Sequence, residues 1–141
     1  MIEINNQTKS RIDTALAKRT VENFLKHYRK TKYDVSIAFV GGQTMRKLNK
    51  QYRRKDRTTD VLAFSGEEDF MGEILINYQQ IKKQAGDFGN SPREELVFIM
   101  VHGLLHLLGY NDDTPKGRQK MEEEGTRFIQ ESKKSKKQEN N

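Results

Sequence analysis

The stretch SPREELVFIMVHGLLHLLGYNDD, residues 91–113, carries two of the chain's three histidines in an otherwise almost wholly apolar segment. It opens with Ser91 and, three residues on, Glu94. That is the spacing of a capping box, with Pro92 at the first helical position. Gly109 supplies a stop at the other end. Between them Leu96, Val97, Phe98, Ile99, Met100, Val101, Leu104, Leu105, Leu107 and Leu108 cover every side. A helix that is apolar all round lies inside its domain, so the rest of the chain must pack around this one.

His102 and His106 are four apart on that helix and share a face. They can be two core histidines satisfied by hydrogen bonds, or two metal ligands side by side, as in helical zinc sites. Two stacked imidazoles on a buried helix each need a partner, which favours metal. A third ligand is available just past Gly109, from Asn111, Asp112 or Asp113. Two histidines and a carboxylate leave a position open for water, the layout of a catalytic site. The pattern departs from H-E-x-x-H, because Gly103 stands where that motif has its glutamate base. Peptide hydrolysis by that route is disfavoured.

Outward from the helix, the other elements are short. Residues 1–4 begin a strand. Ser10 or Asp13 caps a helix reaching about Arg29, with Ile12, Ala15, Leu16, Phe24, Leu25 and Tyr28 on one face and His27 as a packing histidine near its end. Residues 33–40 alternate Val35, Ile37 and Phe39 as a strand, which Gly41-Gly42 ends. Thr44 opens a short helix with Met45, Leu48 and Tyr52 inward. Residues 59–64 and 71–77 are two more strands, and residues 78–85 a helix. Thr114-Pro115 caps a last amphipathic helix with Met121, Phe128 and Ile129 inward. From Ser132 onward the composition is polar and Lys-rich. The expectation is one domain over residues 1–131 and a basic, disordered tail over 132–141. Without regular strand–helix alternation, the fold class is α+β: a single domain with a small mixed sheet of three or four strands on helices, the central buried helix carrying the metal ligands.

Composition bounds the chemistry. A chain of 141 residues is one domain in size. No apolar run is long enough to span a bilayer, and the N-terminus lacks the layout of a secretory signal, so a cytoplasmic location is expected. There is no cysteine, hence no disulfide or thiolate, and any metal must use histidine, carboxylate or water. The net charge is +6, half of it in the last nine residues, which hold four lysines and one glutamate.

A second constellation lies at residues 47–57, KLNKQYRRKDR. Lys47, Lys50, Arg53, Arg54, Lys55 and Arg57 form a dense basic patch interrupted by Asp56. Arginine matches phosphate bidentately. Alone the patch reads as a solvated helix end. Beside a metal site with an open position it points to phosphodiester cleavage.

The motif HGLLHLLGY, residues 102–110, resembles the signature of the YbeY family of endoribonucleases, which act in ribosomal-RNA maturation. YRRKDRTTDVLAF at 52–64 resembles that family's second motif and MGEILIN at 71–77 its third. REEL before the histidines and MEEE after them also fit, so the resemblance spans roughly residues 35–124. The family's usual motif continues G-Y-D-H, its last histidine being the third zinc ligand. The matching position here is Asp112, preceded by Asn111. Carboxylate is a competent zinc ligand, and it makes the site one charge more negative and more tolerant of other divalent ions.

The resemblance implies one divalent ion per chain, zinc first, on His102, His106 and Asp112. It places the family's functional arginine on Arg53, and the basic charge of Lys50, Arg54, Lys55 and Arg57 is expected to guide the RNA backbone electrostatically. The implied activity is single-strand-specific RNA cleavage in rRNA maturation, including 16S rRNA 3′-end processing, and in ribosome quality control at the small subunit. Two other readings stand beside it: a non-enzymatic RNA-binding ribosome-assembly factor with a structural metal site, and a metallohydrolase acting on a small molecule or peptide.

Overall fold

The computed structural model describes residues 1–139. In chain order the elements are β1 (Ile2–Asn6), α1 (Thr14–His27), β2 (Asp34–Phe39), α2 (Gly42–Arg53), β3 (Val61–Ser65), β4 (Phe70–Ile76), α3 (Tyr78–Asp87), α4 (Pro92–Leu107) and α5 (Pro115–Glu139). The strands form one mixed sheet in the order β1-β2-β4-β3, with β1, β2 and β4 parallel and β3 antiparallel to β4. This is the α+β domain with a small mixed sheet that the sequence pattern implies.

Both faces of the sheet are covered. Val35, Ile37 and Phe39 of β2 and Ile74 and Ile76 of β4 join Val21, Phe24 and Leu25 of α1 and Leu96, Met100 and Leu104 of α4 in the main core. The intervening positions are not polar. Ala38, Val40, Leu62 and Leu75 form a second cluster with Met45 of α2. Alternation along β2 thus sorts side chains between two apolar layers.

The long apolar helix is where its sequence places it. Ser91 accepts from the Glu94 backbone nitrogen while the Glu94 carboxylate accepts from Ser91, and Pro92 is the first helical residue. α4 packs on α1, α3, α5, β3 and β4. It approaches β4 closely at Gly103, where a Cβ would stand 3.1 Å from Ile74 Cγ2 and 3.2 Å from Ile74 Cδ1. The residue between the two histidines is small because the sheet lies directly beneath it. After Leu108 the chain turns through Gly109 at φ 104, a conformation glycine adopts without strain.

Three sequence expectations change. α1 is capped by Asp13, one of the two caps the sequence offers, whose carboxylate accepts from Leu16 N, but its buried stripe is Ala17, Thr20, Val21, Phe24 and Leu25, leaving Ala15 exposed. On α2 the inward position after Met45 is Asn49, at 2% exposure, whereas Tyr52 is 59% exposed and lies edge-on to Phe64. The amide of Asn49 is drawn in by a backbone carbonyl of the following loop. α5 runs on to Glu139, so residues 132–139 continue a helix where a structureless tail is expected, and residues 140 and 141 lie outside the described residues. Straight-chain Lys, Gln and Glu are good helix formers, and a helix anchored at Met121 and Phe128 adds turns without a new nucleus. Among the described residues no helix is long and apolar enough to cross a membrane.

Candidate functional site

The imidazoles of His102 and His106 leave α4 on one side, with ring centroids 5.0 Å apart and planes at 80°. The chain beyond Gly109 returns over them. The Asn111 side chain accepts from Asp113 N at 2.7 Å, a tight turn with Asp112 at its centre. Asp112 Oδ2 is thereby placed 3.5 Å from His102 Nε2 and 3.4 Å from His106 Nε2. One ligand atom from each of the three lies within 4.8 Å of the other two. Zinc bonds to nitrogen and oxygen of about 2.0–2.2 Å in a tetrahedron separate neighbouring ligand atoms by about 3.4 Å. The donor set and its spacing therefore fit a divalent ion, with coordination left over for a non-protein ligand. Asp113 is exposed and outside the group.

The electrostatics agree with a ligand role. Burial, and then the neighbouring His106, hold the His102 pKa below the ordinary histidine value, against the raising influence of Asp112 and Asp60. A neutral imidazole is the form that binds metal. Burial raises the Asp112 pKa, but the charges of His106 and His102 and a hydrogen bond from His102 outweigh it, and the net shift is downward.

The cluster lines a cleft of about 220 Å³ that also includes Arg53, Thr59, Asp60, Phe98 and Glu122. Arg53 ends α2, and Arg54 takes a left-handed conformation that turns the chain off the helix. Side-chain hydrogen bonds hold Asp56, Arg57 and Thr58 of the loop between α2 and β3. Arg46 Nε donates to Asp56 at 2.8 Å, Asn49 Nδ2 donates to the Arg57 carbonyl at 2.8 Å, and Asn77 Nδ2 donates to the Thr58 hydroxyl at 3.0 Å. The structure thus brings Arg53 to the same cleft as His102, His106 and Asp112. Lys50, Arg54, Lys55 and Arg57 lie on the adjoining helix end and loop and do not line it.

His27 packs edge-on against Tyr28 and Phe128, as a packing histidine should. Sequence reasoning misses Asp60, Glu122 and Phe98 as cleft residues. Asp60 stands inside TTDVLAF, but no spacing rule joins it to histidines some forty residues away.

Fold and site together define a class: a single-domain α+β protein with a two-histidine, one-carboxylate group in a cleft edged by arginine. The family model described as Endoribonuclease YbeY matches residues 3–133, and the chain belongs to that family of hydrolytic nucleases. It is 35% identical to Endoribonuclease YbeY of Persephonella marina over 120 residues, 79% of this chain and 78% of the relative. It is 35% identical to that of Wolinella succinogenes over 133 residues, 91% of each. Among solved structures it is similar to a Thermotoga maritima protein determined in solution, with a TM-score of 0.67 and 30% identity over 93% of this chain and 88% of that one.

Proposed function

We propose that this chain is a metal-dependent endoribonuclease that cleaves single-stranded RNA, with His102, His106 and Asp112 holding one divalent ion, zinc first. The observation that carries the reading is the shared cleft: Arg53 lines the same 220 Å³ space as the three-residue cluster. When bound, the ion supplies a Lewis acid that polarises a phosphoryl oxygen or acidifies a water. Arg53 holds the scissile phosphate and stabilises the charge that develops on it. Lys50, Arg54, Lys55 and Arg57, beside the cleft, draw the RNA backbone toward it. Family membership supports an RNA substrate. Within that reading the substrate is rRNA of the small ribosomal subunit, cleaved in the cytoplasm during maturation, including the 16S 3′ end, and in quality control.

The test is elemental analysis of the purified protein coupled to cleavage of a single-stranded RNA with and without chelator. Arg53→Ala should slow cleavage by about 100-fold or more while RNA binding and folding persist. Retained RNA binding with no cleavage by metal-loaded wild type would favour a non-enzymatic assembly factor instead.

A further inference from the structure

Asp60 lines the metal-cluster cleft and stands at the end of a hydrogen-bond chain that begins in the interior. Glu95, on α4, is 3% exposed. It lies seven residues, two helical turns, before His102, on the same stripe of the helix. Its Oε1 accepts from Asn90 Nδ2 at 3.2 Å and its Oε2 from Gln84 Nε2 at 2.8 Å. The same Gln84 nitrogen donates to Asp60 Oδ2 at 3.0 Å. One amide, with its two hydrogens, therefore bridges two carboxylates, while its oxygen faces Gln80 Nε2 at 3.5 Å.

A buried carboxylate without a cation is costly to keep, and amide donors compensate Glu95 here. What this arrangement supplies is orientation: with one hydrogen held by Glu95, the Gln84 amide points the other at Asp60. The Asp60 backbone is pinned as well, because its carbonyl accepts from Asn77 N at 2.9 Å. Among the described residues the other carboxylate oxygen, Oδ1, has only the hydroxyl of the adjacent Thr59, at 3.3 Å. Among the described residues Asp60 forms no ion pair, and neither ligand histidine donates to it.

We propose that Asp60 is a positioning carboxylate for the metal centre: its Oδ1 accepts a hydrogen bond from the water that fills the ion's open coordination position, and Gln84, held by Glu95, fixes where that oxygen stands. Partners outside the ligand set orient what the metal binds and tune its affinity. Asp60 does this from the position that precedes β3. The proposal rests on the metal-site reading above and on the nuclease reading only for its kinetic consequence.

The experiment measures Zn²⁺ affinity of the full chain by competition with a chromophoric chelator, for wild type, Asp60→Asn and Asp60→Glu. Melting of the metal-free proteins and RNA cleavage at saturating Zn²⁺ are followed in parallel. Asparagine keeps an acceptor for Gln84, so Asp60→Asn should melt like wild type. It should bind Zn²⁺ at least about 10-fold more weakly and, with the ion saturating, cleave about 10- to 100-fold more slowly. Asp60→Glu keeps the charge but moves it by a methylene, and should not restore affinity. Zn²⁺ affinity of Asp60→Asn within twofold of wild type, or full rescue by glutamate, overturns the proposal. Weakened binding in Asp60→Asn with no RNA cleavage by any form upholds it and sinks the nuclease reading. Absence of Zn²⁺ binding by wild type sinks both.

Discussion

Asp112 Oδ2 stands 3.4 Å from His106 Nε2, although the two residues lie on opposite sides of the turn that ends α4. The turn at Asn111 to Asp113, not the helix, sets that distance. Asp112→Ala should therefore remove the ion, weakening binding by more than the roughly 10–100-fold typical of losing an outer partner. Asp113→Ala, at an exposed position outside the cluster, should change it far less. Asp112→His should create a three-histidine site that also holds the ion. Metal content by elemental analysis reads all three, and loss of metal in Asp112→His would show that the turn is built for the shorter carboxylate.

Gly103 decides how close the helix bearing the histidines comes to the sheet. Alanine at 103 gains helix propensity of about 1 kcal/mol but sets a methyl 3.1 Å from Ile74 Cγ2, and Ile74 is fully buried. Overpacking costs about 1–3 kcal/mol, so Gly103→Ala should be destabilised by a net of roughly 1 kcal/mol. Thermal melting measures this. Zn²⁺ affinity should fall with it, since the displaced turn carries His102 and His106. Gly103→Ala combined with Ile74→Val, which removes Cδ1, should lose less stability than the sum of the two single variants.

What the sequence makes legible is what one element dictates alone. The capping box at Ser91, the all-round apolar surface of α4 and the one-face placement of His102 and His106 follow from helical geometry over sixteen residues. The covered back of the sheet does not follow. Ala38 and Val40 alternate correctly with Ile37 and Phe39, but only the fold shows that α2 lies over them. The Asn49 and Tyr52 exchange has the same origin. Amphipathic spacing puts the aromatic inward, while a carbonyl at Arg57, eight residues downstream, claims the polar side chain. Asp60 needs the sheet order itself, which sets β3 and β4 beside α4 and so carries a loop residue to the histidines.

The Asn49 amide is the internal tie of the basic loop. Removing it leaves the Arg57 carbonyl without that partner and should cost about 1 kcal/mol. Asn49→Ala should thus lower the melting temperature by several degrees and weaken RNA binding, because Arg53 and Arg57 lose their fixed relation. Metal content should be unaltered, as the cluster rests on α4 and the turn after it. Metal loss in Asn49→Ala would show that the loop and the cluster are one cooperative unit.

Acid stability should depend on three exposed carboxylates whose folded pKa values are all lowered. The backbone of Leu16 and then Arg93 lower Asp13, Arg46 lowers Asp56, and the Ser91 backbone lowers Glu94. A group with a depressed folded value stabilises the fold above its unfolded pKa, and that contribution disappears as pH falls through the folded value. The carboxylates' contribution to the melting temperature should therefore be flat above their ordinary range of about 4 and drop below it, whereas His102, whose folded value is also lowered, should begin to take stability away as pH falls below the ordinary histidine value of about 6.5. Asp13→Asn removes one contributor, so its melting temperature should fall less steeply with acid than that of wild type. An identical acid slope would remove Asp13 from the account.

The exposed cations and Arg53 should separate kinetically. Lys55 and Arg57 stand outside the cleft, so on the proposed reading they would meet phosphates that are not being cleaved. Their attraction acts equally on bound substrate and transition state, which changes KM and not kcat. Replacing Lys55 and Arg57 by glutamine should raise KM. It should also lower the slope of log affinity against log salt by about 0.7 for each phosphate of single-stranded RNA no longer neutralised. Arg53→Ala should instead lower kcat by about 100-fold or more, the scale of losing one donor to a developing oxyanion, with a smaller effect on the salt slope. Cleavage kinetics at two or three salt concentrations test this directly. Equal kcat losses in the loop variants and in Arg53→Ala would place the whole basic segment, and not Arg53 alone, at the reacting phosphate.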